Sequence, residues 1–515
     1  MGRPQRLRSS RGARAAGAPP RDPDAPASRG TAWLAAALAA AVALVAYRGA
    51  LDYGFSQDDF LSLARVHGLA PRLSGPWRVL SNQWFWDALV RTFGDAPRAF
   101  HAIVLGAHAA CAALLALLLA RRFPAPAVLL AACVWASHPA HQTALYWISA
   151  NSDPFLTLFL LLATAAWVSR GASRWLAVPA FAIALAWKES GLLLPLALAA
   201  LAAWGPAPRR AWSELVRDPV LWALAAVALV WAGAIAAFVN GLGVAGNAYE
   251  ASAGAIARNL LTDVSWIPWW APFVQHDLSD DARPAFVRMG AILLALVLLA
   301  LAWPAWGRRG APGALVAAAL LLAPVLPLAH HTYRYYLHAP LAAAACAGAA
   351  FFTALTARLG PTRRWIAALA LAAIACGASS LWIAHVEQAP FELPGSRADR
   401  TIDRALIASN AIADVAAAAL PRGSRLAMWS PQSEELARAA GPDSSAEPYA
   451  ERNVRAALLD GLALRVERPE LAAVRFVRTF APVDTAERWA VYRPDGHLGV
   501  LRAAELARVL SAGPR

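Results

Sequence analysis

Residues 219–239 read PVLWALAAVALVWAGAIAAFV and contain no charged side chain. A helix needs about 20 consecutive apolar residues to cross the roughly 30 Å hydrocarbon core of a bilayer. This stretch is long enough, and similar apolar runs recur along the chain. The sequence therefore predicts a protein that crosses a membrane many times.

The composition of the whole chain favours the same class of protein. Its 515 residues are 59% hydrophobic and 16% charged, whereas soluble domains are usually about 45–50% apolar and about 25% charged. This excess of apolar residues excludes a soluble globular enzyme, a disulfide-stapled secreted domain and a disordered chain. The four cysteines all lie inside apolar runs without CxxC spacing, which favours packing roles over a redox or zinc site.

The apolar runs predict an all-α polytopic membrane protein with about eleven transmembrane helices. The arginine-rich linkers between the runs should face the cytoplasm, because basic loops are retained on that side. The topology that satisfies them places the amino end inside and the carboxyl end outside. The predicted crossings lie near 31–47, 99–120, 126–137, 154–168, 175–187, 191–204, 219–239, 285–306, 313–329, 336–357 and 365–385.

The amino-terminal region is predicted to contain a tail and a retained helix. Residues 1–30 are rich in Arg, Pro, Gly and Ala, a composition typical of a disordered, basic cytoplasmic tail. The apolar run 31–47 resembles a signal peptide, but no clear small-residue cleavage site follows it. We therefore expect a transmembrane domain over 31–385.

Within this domain, residues 241–284 are predicted to stay on the outer side as an interfacial or re-entrant segment. Trp266, Trp269 and Trp270 suit the headgroup region of a bilayer, and Pro268 and Pro272 interrupt a continuous helix. A crossing here would also place the later arginine-rich linkers outside the cell.

The tail from 386 to 515 carries more charge and lacks a spanning run. A helical stretch at 401–420 precedes a short apolar strand at 425–430. Further on, 489–493 and 498–502 flank a Pro-Asp-Gly turn and predict a hairpin. We expect a small extracytoplasmic (periplasmic) α/β domain.

The net charge of +14 does not indicate a nucleic-acid partner. The basic residues lie mainly in short linkers and at both ends of the chain, where membrane topology explains them. They form no basic surface interleaved with aromatic residues, as a strand-binding groove would need. The chain contains a single lysine, Lys188, so a lysine at that position stands out against arginine elsewhere.

The first predicted outer loop, 51–98, contains the adjacent carboxylates Asp58 and Asp59 directly after a transmembrane helix. One carboxylate can act as a general base while the other orients it or binds a metal, and their repulsion raises one pKa. Alternatively, Ser56 or Asp58 caps a short helix over 59–66. Adjacent Asp residues are compatible with a divalent cation, but such an ion requires more oxygen ligands than these two supply.

A second polar segment, which we call the 138–153 motif, contains His138, His141 and Asp153. Imidazoles three residues apart can share one face of a helix, and Asp153 stands at the start of the next span. Two histidines are too few for a zinc site. Interfacial anchoring by His and Trp, with Asp153 as a helix cap, is the structural alternative.

Two further polar segments lie between apolar runs. Lys188 and Glu189 form a tight turn, and ionisable residues at membrane depth are functional candidates unless they simply pair with each other. Arg334 is flanked by Tyr333, Tyr335 and Tyr336, and a guanidinium at such an interface can hold a lipid phosphate. An aromatic belt with a snorkelling Arg334 is the alternative.

The 138–153 motif, His-Pro-x-His-x-x-Ala-x-x-Trp-Ile-Ser-x-x-x-Asp, resembles the signature of membrane glycosyltransferases of the C superfold. The resemblance is greatest to the transmembrane and tetratricopeptide-repeat-containing protein O-mannosyltransferases and their bacterial relatives. The Asp58-Asp59 pair, the Lys188-Glu189 turn and the segments at 269–280 and 334–337 follow in the order typical of that family. The chain differs in two respects: Asn151-Ser152 stand where the family often has Gly-Arg, and 386–515 replace the repeat array.

The resemblance implies an inverting glycosyltransferase of the bacterial inner membrane that uses a polyprenyl-phosphate sugar. From the resemblance we expect a mannosyl donor and an acceptor that is a protein or a glycan. By this resemblance Asp58 or Asp59 is the acidic catalytic residue, which we expect to deprotonate the acceptor hydroxyl. We expect Lys188 and Arg334 to bind the donor phosphate. His138, His141, Asp153 and Glu189 are expected to bind or orient substrate. The resemblance implies no definite cofactor, and the sequence leaves dependence on a divalent metal open.

Two other functions are consistent with the sequence. A transporter or flippase of lipid-linked saccharides should carry ionisable residues inside its spans and paired broken helices in two halves. The polar residues cluster instead in predicted outer loops, which favours the enzyme. The third function is that of a catalytically inactive scaffold that presents the tail.

Overall fold

The structure of the protein is a computed structural model, and it describes residues 24–73, 75, 77–241, 250–267, 283–390, 395–440, 448–481 and 487–511. The chain is mostly helical, with one small sheet near the carboxyl end. The first half contains the helices α1 Arg29–Ala46, α2 Asp58–Val66, α3 Phe85–Phe93, α4 Pro97–Ala120, α5 Ala125–Ala136, α6 Gln142–Tyr146, α7 Ser152–Trp167, α8 Ala177–Trp187, α9 Leu194–Trp204, α10 Trp212–Val216 and α11 Pro219–Gly241.

The second half contains the remaining helices and the strands. The helices before the tail are α12 Ala253–Ser265, α13 Arg283–Leu301, α14 Pro304–Arg308, α15 Ala311–Leu322, α16 His338–Leu355 and α17 Pro361–Gln388. The tail contains α18 Arg400–Ala417, β1 Arg425–Trp429, α19 Pro431–Ala440, α20 Tyr449–Ala457, α21 Leu462–Glu467, β2 Ala473–Phe476, β3 Glu487–Tyr492, β4 Leu498–Arg502 and α22 Ala503–Ser511.

Within the described ranges, seven helical segments are long and apolar enough to cross a membrane. They are Arg29–Ala46, Pro97–Ala120, Ile148–Trp167, Pro219–Phe238, Pro284–Leu301, Arg334–Leu355 and Pro361–Gln388. Each coincides with one of the crossings predicted from the sequence. The other four predicted crossings also form helices, but shorter ones, in the segments Ala125–Ala136, Gly171–Trp187, Glu189–Trp204 and Ala311–Val325.

The helices pack through alanine-rich faces. Ala35, Ala36, Ala39 and Ala43 of α1 are buried, together with the small residues of α4 and α5 against which α1 packs. Small side chains let helix backbones approach closely. In a bilayer, where burying apolar side chains between helices gains no hydrophobic free energy, van der Waals packing drives helix association. The apolar faces that remain exposed on α11 and α13 fit contact with lipid chains.

Residues 24–30 differ from the predicted disordered tail. Asp24 forms ion pairs with Arg309 (2.8 Å) and Arg364 (2.6 Å), and the side chain of Ser28 caps α1 by accepting from the Thr31 amide. Ordering of this segment therefore neutralises two linker arginines and caps α1. Residues 1–23 lie outside the described residues.

Of the predicted outer segment 241–284, the structure describes a part that contains α12. This helix is 13 residues long and packs against α13. Trp269, Trp270, Pro268, Pro272 and the loop 269–280 lie outside the described residues.

The tail forms the predicted α/β unit. Helix α18 and strand β1 match the stretches expected at 401–420 and 425–430, and β3 and β4 form the predicted antiparallel hairpin. The strand order is β2-β1-β3-β4, with β1 parallel to both β2 and β3. Gly496 provides the positive φ of +84° that the hairpin turn requires.

One apolar core joins this tail to the first outer loop. Phe55, Phe60 and Leu63 of that loop belong to the same buried cluster as Ile402 of α18 and Val454 of α20. The tail is therefore packed against the segment that carries Asp58 and Asp59.

The close contact between α9 and α15 gives a test of the helix packing. A Cβ on Gly313 would overlap the backbone of Gly205 and Trp204, whereas a Cβ on Gly348 of α16 would meet nothing within 4 Å. We expect Gly313→Ala to lower the thermal unfolding temperature in detergent, because overpacking costs about 1–3 kcal/mol. The matched control Gly348→Ala should leave that temperature unchanged or raised, since Ala is favoured over Gly in a helix by about 1 kcal/mol. Equal effects of the two variants would contradict the close packing.

Candidate functional site

The first loop reaches the two carboxylates through a strained backbone turn. Gln57 has φ 56° and ψ −128°, a conformation that residues with a Cβ rarely adopt. Two groups of the tail hold it there: the Gln57 amide donates to the Ala457 carbonyl (3.1 Å), and its Oε1 accepts from the Arg404 guanidinium (2.5 Å). The tail thus fixes the residue directly before Asp58.

Asp59 is buried, with 1% of its surface exposed. Its Oδ1 accepts hydrogen bonds from the amide (2.7 Å) and the hydroxyl (2.6 Å) of Ser149, and its Oδ2 accepts from the Ser56 amide (3.0 Å). Burial raises the pKa of Asp59 to about 7, against the stabilising effect of these donors on the ionised form. The carboxylate is therefore committed to joining the first loop to the 138–153 motif.

This arrangement differs from the alternative in which Ser56 or Asp58 caps the short helix. Helix α2 begins after Gln57, and no side chain caps it, so neither Ser56 nor Asp58 has that role. The Ser56 amide instead donates to Asp59, which faces back towards the turn.

Asp58 differs from its neighbour because its side chain opens to solvent. Within the described ranges, its carboxylate has no hydrogen-bond or ion-pair partner. The protein packed around its other sides raises its pKa by removing water, an effect that Arg65 and Arg404 oppose. Of the two carboxylates, Asp58 is the one whose oxygens can receive a proton from another molecule.

Lys188 and Glu189 do not form the ion pair with each other that was the structural alternative. The Lys188 ammonium pairs with Asp153 at 2.6 Å, and both residues are almost fully buried, at 2% and 3% exposure. Glu189 pairs instead with Arg78, whose Nε donates to Glu189 Oε2 at 2.9 Å. Lys188 is extended (φ −161°, ψ 136°), and successive side chains of extended backbone point in opposite directions.

The Lys188 ammonium also lies 4.7 Å from the ring centroids of both Tyr335 and Tyr336. These tyrosines belong to the segment predicted from the sequence around Arg334. The structure therefore brings together the start of α7, the turn at 188–191 and the turn at 334–337.

Arg334 is buried with 7% of its surface exposed. Its guanidinium carbon stacks 4.9 Å from the Trp382 ring centroid of α17. In the part of the chain that the structure describes, its Nε has no hydrogen-bond acceptor and the side chain forms no ion pair. The buried carboxylate of Asp399 attracts this guanidinium electrostatically but makes no ion-pair contact with it. A buried cation without a contacting anion is costly.

The two histidines of the 138–153 motif do not share one helix face. His138 precedes the short helical turn Pro139–His141; its Nε2 bonds with the Ile267 carbonyl (2.8 Å), and its Nδ1 accepts from the Ala140 amide. His141 is fully buried and bonds through Nε2 with the Trp135 carbonyl (2.9 Å). Its ring packs beside the His338 ring at a centroid distance of 4.4 Å, so His141 has a structural setting.

Metal ligands were also sought among the described residues. These residues contain no group of three or more His, Cys, Asp or Glu side chains arranged to hold an ion. Asp59 is occupied by amide and hydroxyl donors, which leaves Asp58 as a single carboxylate.

Several contributors were missed by sequence reasoning. Ser149 lies inside the 138–153 motif, and this position alone could have marked it as a candidate. Its partner Asp59 lies 90 positions away, so the contact between them could not be predicted from local sequence. Arg78, Trp382 and Arg404 lie in segments without any motif, so local sequence did not indicate that they contact the site.

Comparison of the chain with protein-family models found no match, and comparison with curated proteins found none.

The environment of Asp59 predicts a pH-dependent stability. Its pKa is about 7 in the fold and 3.8 as the ordinary value, so between these pH values only the folded state holds the proton. Rising pH then lowers the free energy of unfolding, and the effect levels off above pH 7. We expect the difference in unfolding temperature between wild type and Asp59→Asn, which cannot ionise, to fall from pH 4 to pH 7.

Ser149→Ala provides the matched variant. It removes a hydroxyl donor that favours the ionised carboxylate, so the fall should extend to higher pH. A difference that stays constant from pH 4 to pH 8 would contradict this assignment.

Proposed function

We propose that the protein is an inverting glycosyltransferase that moves a sugar from a polyprenyl-phosphate donor to an acceptor hydroxyl. The observation that carries the proposal is the buried guanidinium of Arg334, which forms no ion pair with the described residues, is attracted by Asp399 only without direct contact, and lies beside a group of tyrosines. Phosphate is the anion that a guanidinium binds with two parallel hydrogen bonds. The family resemblance of the sequence motifs supports the same chemistry.

Asp58 is the proposed general base. It takes the proton of the acceptor hydroxyl as that oxygen attacks the anomeric carbon from the face opposite the phosphate. The bond between the anomeric carbon and the phosphate oxygen breaks, and polyprenyl phosphate leaves with the electron pair. The product has the inverted anomeric configuration, because one displacement has taken place.

Arg334 is the proposed main ligand of the leaving phosphate, where negative charge grows in the transition state. Lys188 makes a weaker contribution in this proposal, since Asp153 already neutralises its charge. The rings of Tyr333 and Tyr335 stack at 5.0 Å and provide an apolar surface for the first isoprene units of the donor.

The proposed location is a bacterial inner membrane, with these residues and the tail on the periplasmic side. The placement of the arginine-rich linkers at the opposite ends of the helices supports this orientation. Lipid-linked sugars are available on that face. The acceptor is proposed to be a protein or a glycan.

A donor-turnover assay tests the proposal. Purified protein is incubated with a panel of polyprenyl-phosphate sugars, and release of polyprenyl phosphate is measured. We expect Asp58→Asn to lower the rate about 10²–10⁴-fold, the usual effect of a lost general base. Asp52→Asn, an exposed carboxylate of the same loop, is the control and should retain turnover. Wild-type turnover by Asp58→Asn would rule out this base.

The phosphate role of Arg334 is tested by binding. We expect Arg334→Ala to weaken the polyprenyl-phosphate sugar strongly and the polyprenol without phosphate little. Arg334→Lys should retain part of the binding, because an ammonium is a point charge and cannot bind two phosphate oxygens in parallel. If Arg334→Ala weakens both ligands equally, the residue packs the lipid chain or the fold and does not bind phosphate.

A further inference from the structure

A second feature lies at the opposite end of the helices. A partly open cavity of about 570 Å³ lies between α4, α7, α9 and α16, and apolar side chains, mainly leucine and alanine, form most of its walls. Six arginines lie among its lining residues: Arg121, Arg122, Arg170, Arg174, Arg209 and Arg210. All six belong to the segments that follow α4, α7 and α9, so they gather at one end of the cavity.

The residues of α7 that line the cavity show how deep it lies along the helix. Asp153 stands in the first turn of this helix, and the cavity is lined from Thr157 to Trp167. At 1.5 Å per residue this is a depth of roughly 15 Å. That depth equals about half of a roughly 30 Å hydrocarbon core, which is the thickness of one leaflet.

The arginines are incompletely neutralised. Arg174 and Arg210 share the single carboxylate of Asp218, at 2.5 and 2.7 Å, and Arg210 also approaches Glu214 at 3.7 Å. Arg209 and Arg122 donate to backbone carbonyls, which carry no net charge. The cavity mouth therefore keeps an excess of positive charge.

Arg121 and Arg170 are the arginines available to a ligand. Both are exposed. Neither side chain forms a hydrogen bond or an ion pair with any residue in the ranges that the structure describes. Membrane topology explains why arginines occur at this end of the helices, but it does not require them to surround an apolar cavity.

Cations at the mouth and an apolar interior one leaflet deep fit a molecule with an anionic head and a hydrocarbon chain. Free phosphate would gain nothing from the apolar depth, and an uncharged or zwitterionic lipid would gain little from the arginines. We propose that this cavity is a binding site for an anionic phospholipid, with the phosphate at Arg121 and Arg170 and one acyl chain inside. This site is separate from the proposed donor site and does not require transferase activity.

Lipid binding to the purified full-length protein tests this site. Delipidated protein in detergent is titrated with phosphatidylglycerol or with phosphatidylcholine of the same acyl chains, and bound lipid is counted by native mass spectrometry. We expect wild type to bind phosphatidylglycerol more tightly. Arg121→Gln combined with Arg170→Gln should weaken phosphatidylglycerol on the order of tenfold, because each arginine near an anionic lipid contributes about 1 kcal/mol.

The matched control is Arg358→Gln combined with Arg363→Gln. These arginines are also exposed in a linker predicted to lie at the same end, and they do not line the cavity. We expect the control pair to bind both lipids as wild type does. Equal loss in the two double variants, or equal binding of the two lipids by wild type, would overturn the site.

Two further measurements test the proposed chain within the cavity. Ala343→Trp places a large ring into the cavity wall and should weaken both lipids, while the unfolding temperature of the lipid-free protein reports whether the variant folds. Glycerol phosphate at the same concentration should not displace phosphatidylglycerol. Displacement by glycerol phosphate would show a simple anion site and would overturn the lipid assignment, and the arginine variants decide the matter if Ala343→Trp does not fold.

Discussion

A buried pair of opposite charges, Asp153 and Lys188, holds the polar end of the helix bundle together. Removing either partner would leave an unpaired charge in a nearly dry environment, at a cost of about 3–5 kcal/mol. The pair joins the beginning of α7 to the turn before α9, and the tyrosines after Arg334 pack on the ammonium. Three segments that are far apart in sequence therefore meet at one point. The position of Arg334 depends on that meeting, since Arg334 directly precedes the two tyrosines.

The carboxyl-terminal tail is a second constraint on the same region. Gln57 occupies a backbone conformation that costs of the order of 1–3 kcal/mol and persists only where surrounding structure holds it. Arg404 and the Ala457 carbonyl provide this support from the tail, and Asp59 binds Ser149 on the other side. The free carboxylate of Asp58 thus stands between two fixed neighbours. Because its supports come from the tail, the α/β unit has a role in shaping the candidate site.

The sequence was sufficient for the helices and the hairpin, but insufficient for the pairing of charges. Apolar period and length are local properties, so the seven long apolar helices, α18 and the β3–β4 hairpin could be predicted. Lys188 and Asp153 lie 35 positions apart, and the only partner that local sequence offered as an alternative was the adjacent Glu189. The different roles of Asp58 and Asp59 were equally hidden, because the direction of each carboxylate is set by Ser149 and by the turn at Gln57. Short helices such as α5 are the reason why the number of crossings does not follow from apolar runs alone. A helix of twelve residues can lie within a bundle without spanning a membrane.

The choice of lysine at position 188 and arginine at position 334 follows from the number of donors that each side chain must satisfy. The chain uses arginine almost everywhere, and Lys188 is its single lysine. An ammonium is compact and can be satisfied by one carboxylate and the faces of two aromatic rings, as Asp153, Tyr335 and Tyr336 provide. A guanidinium at position 188 would bring five N–H donors in a fixed plane into a space with one carboxylate. Arg334 has the opposite setting: its flat group stacks on Trp382, and its unused donors suit a planar pair of oxygens from another molecule.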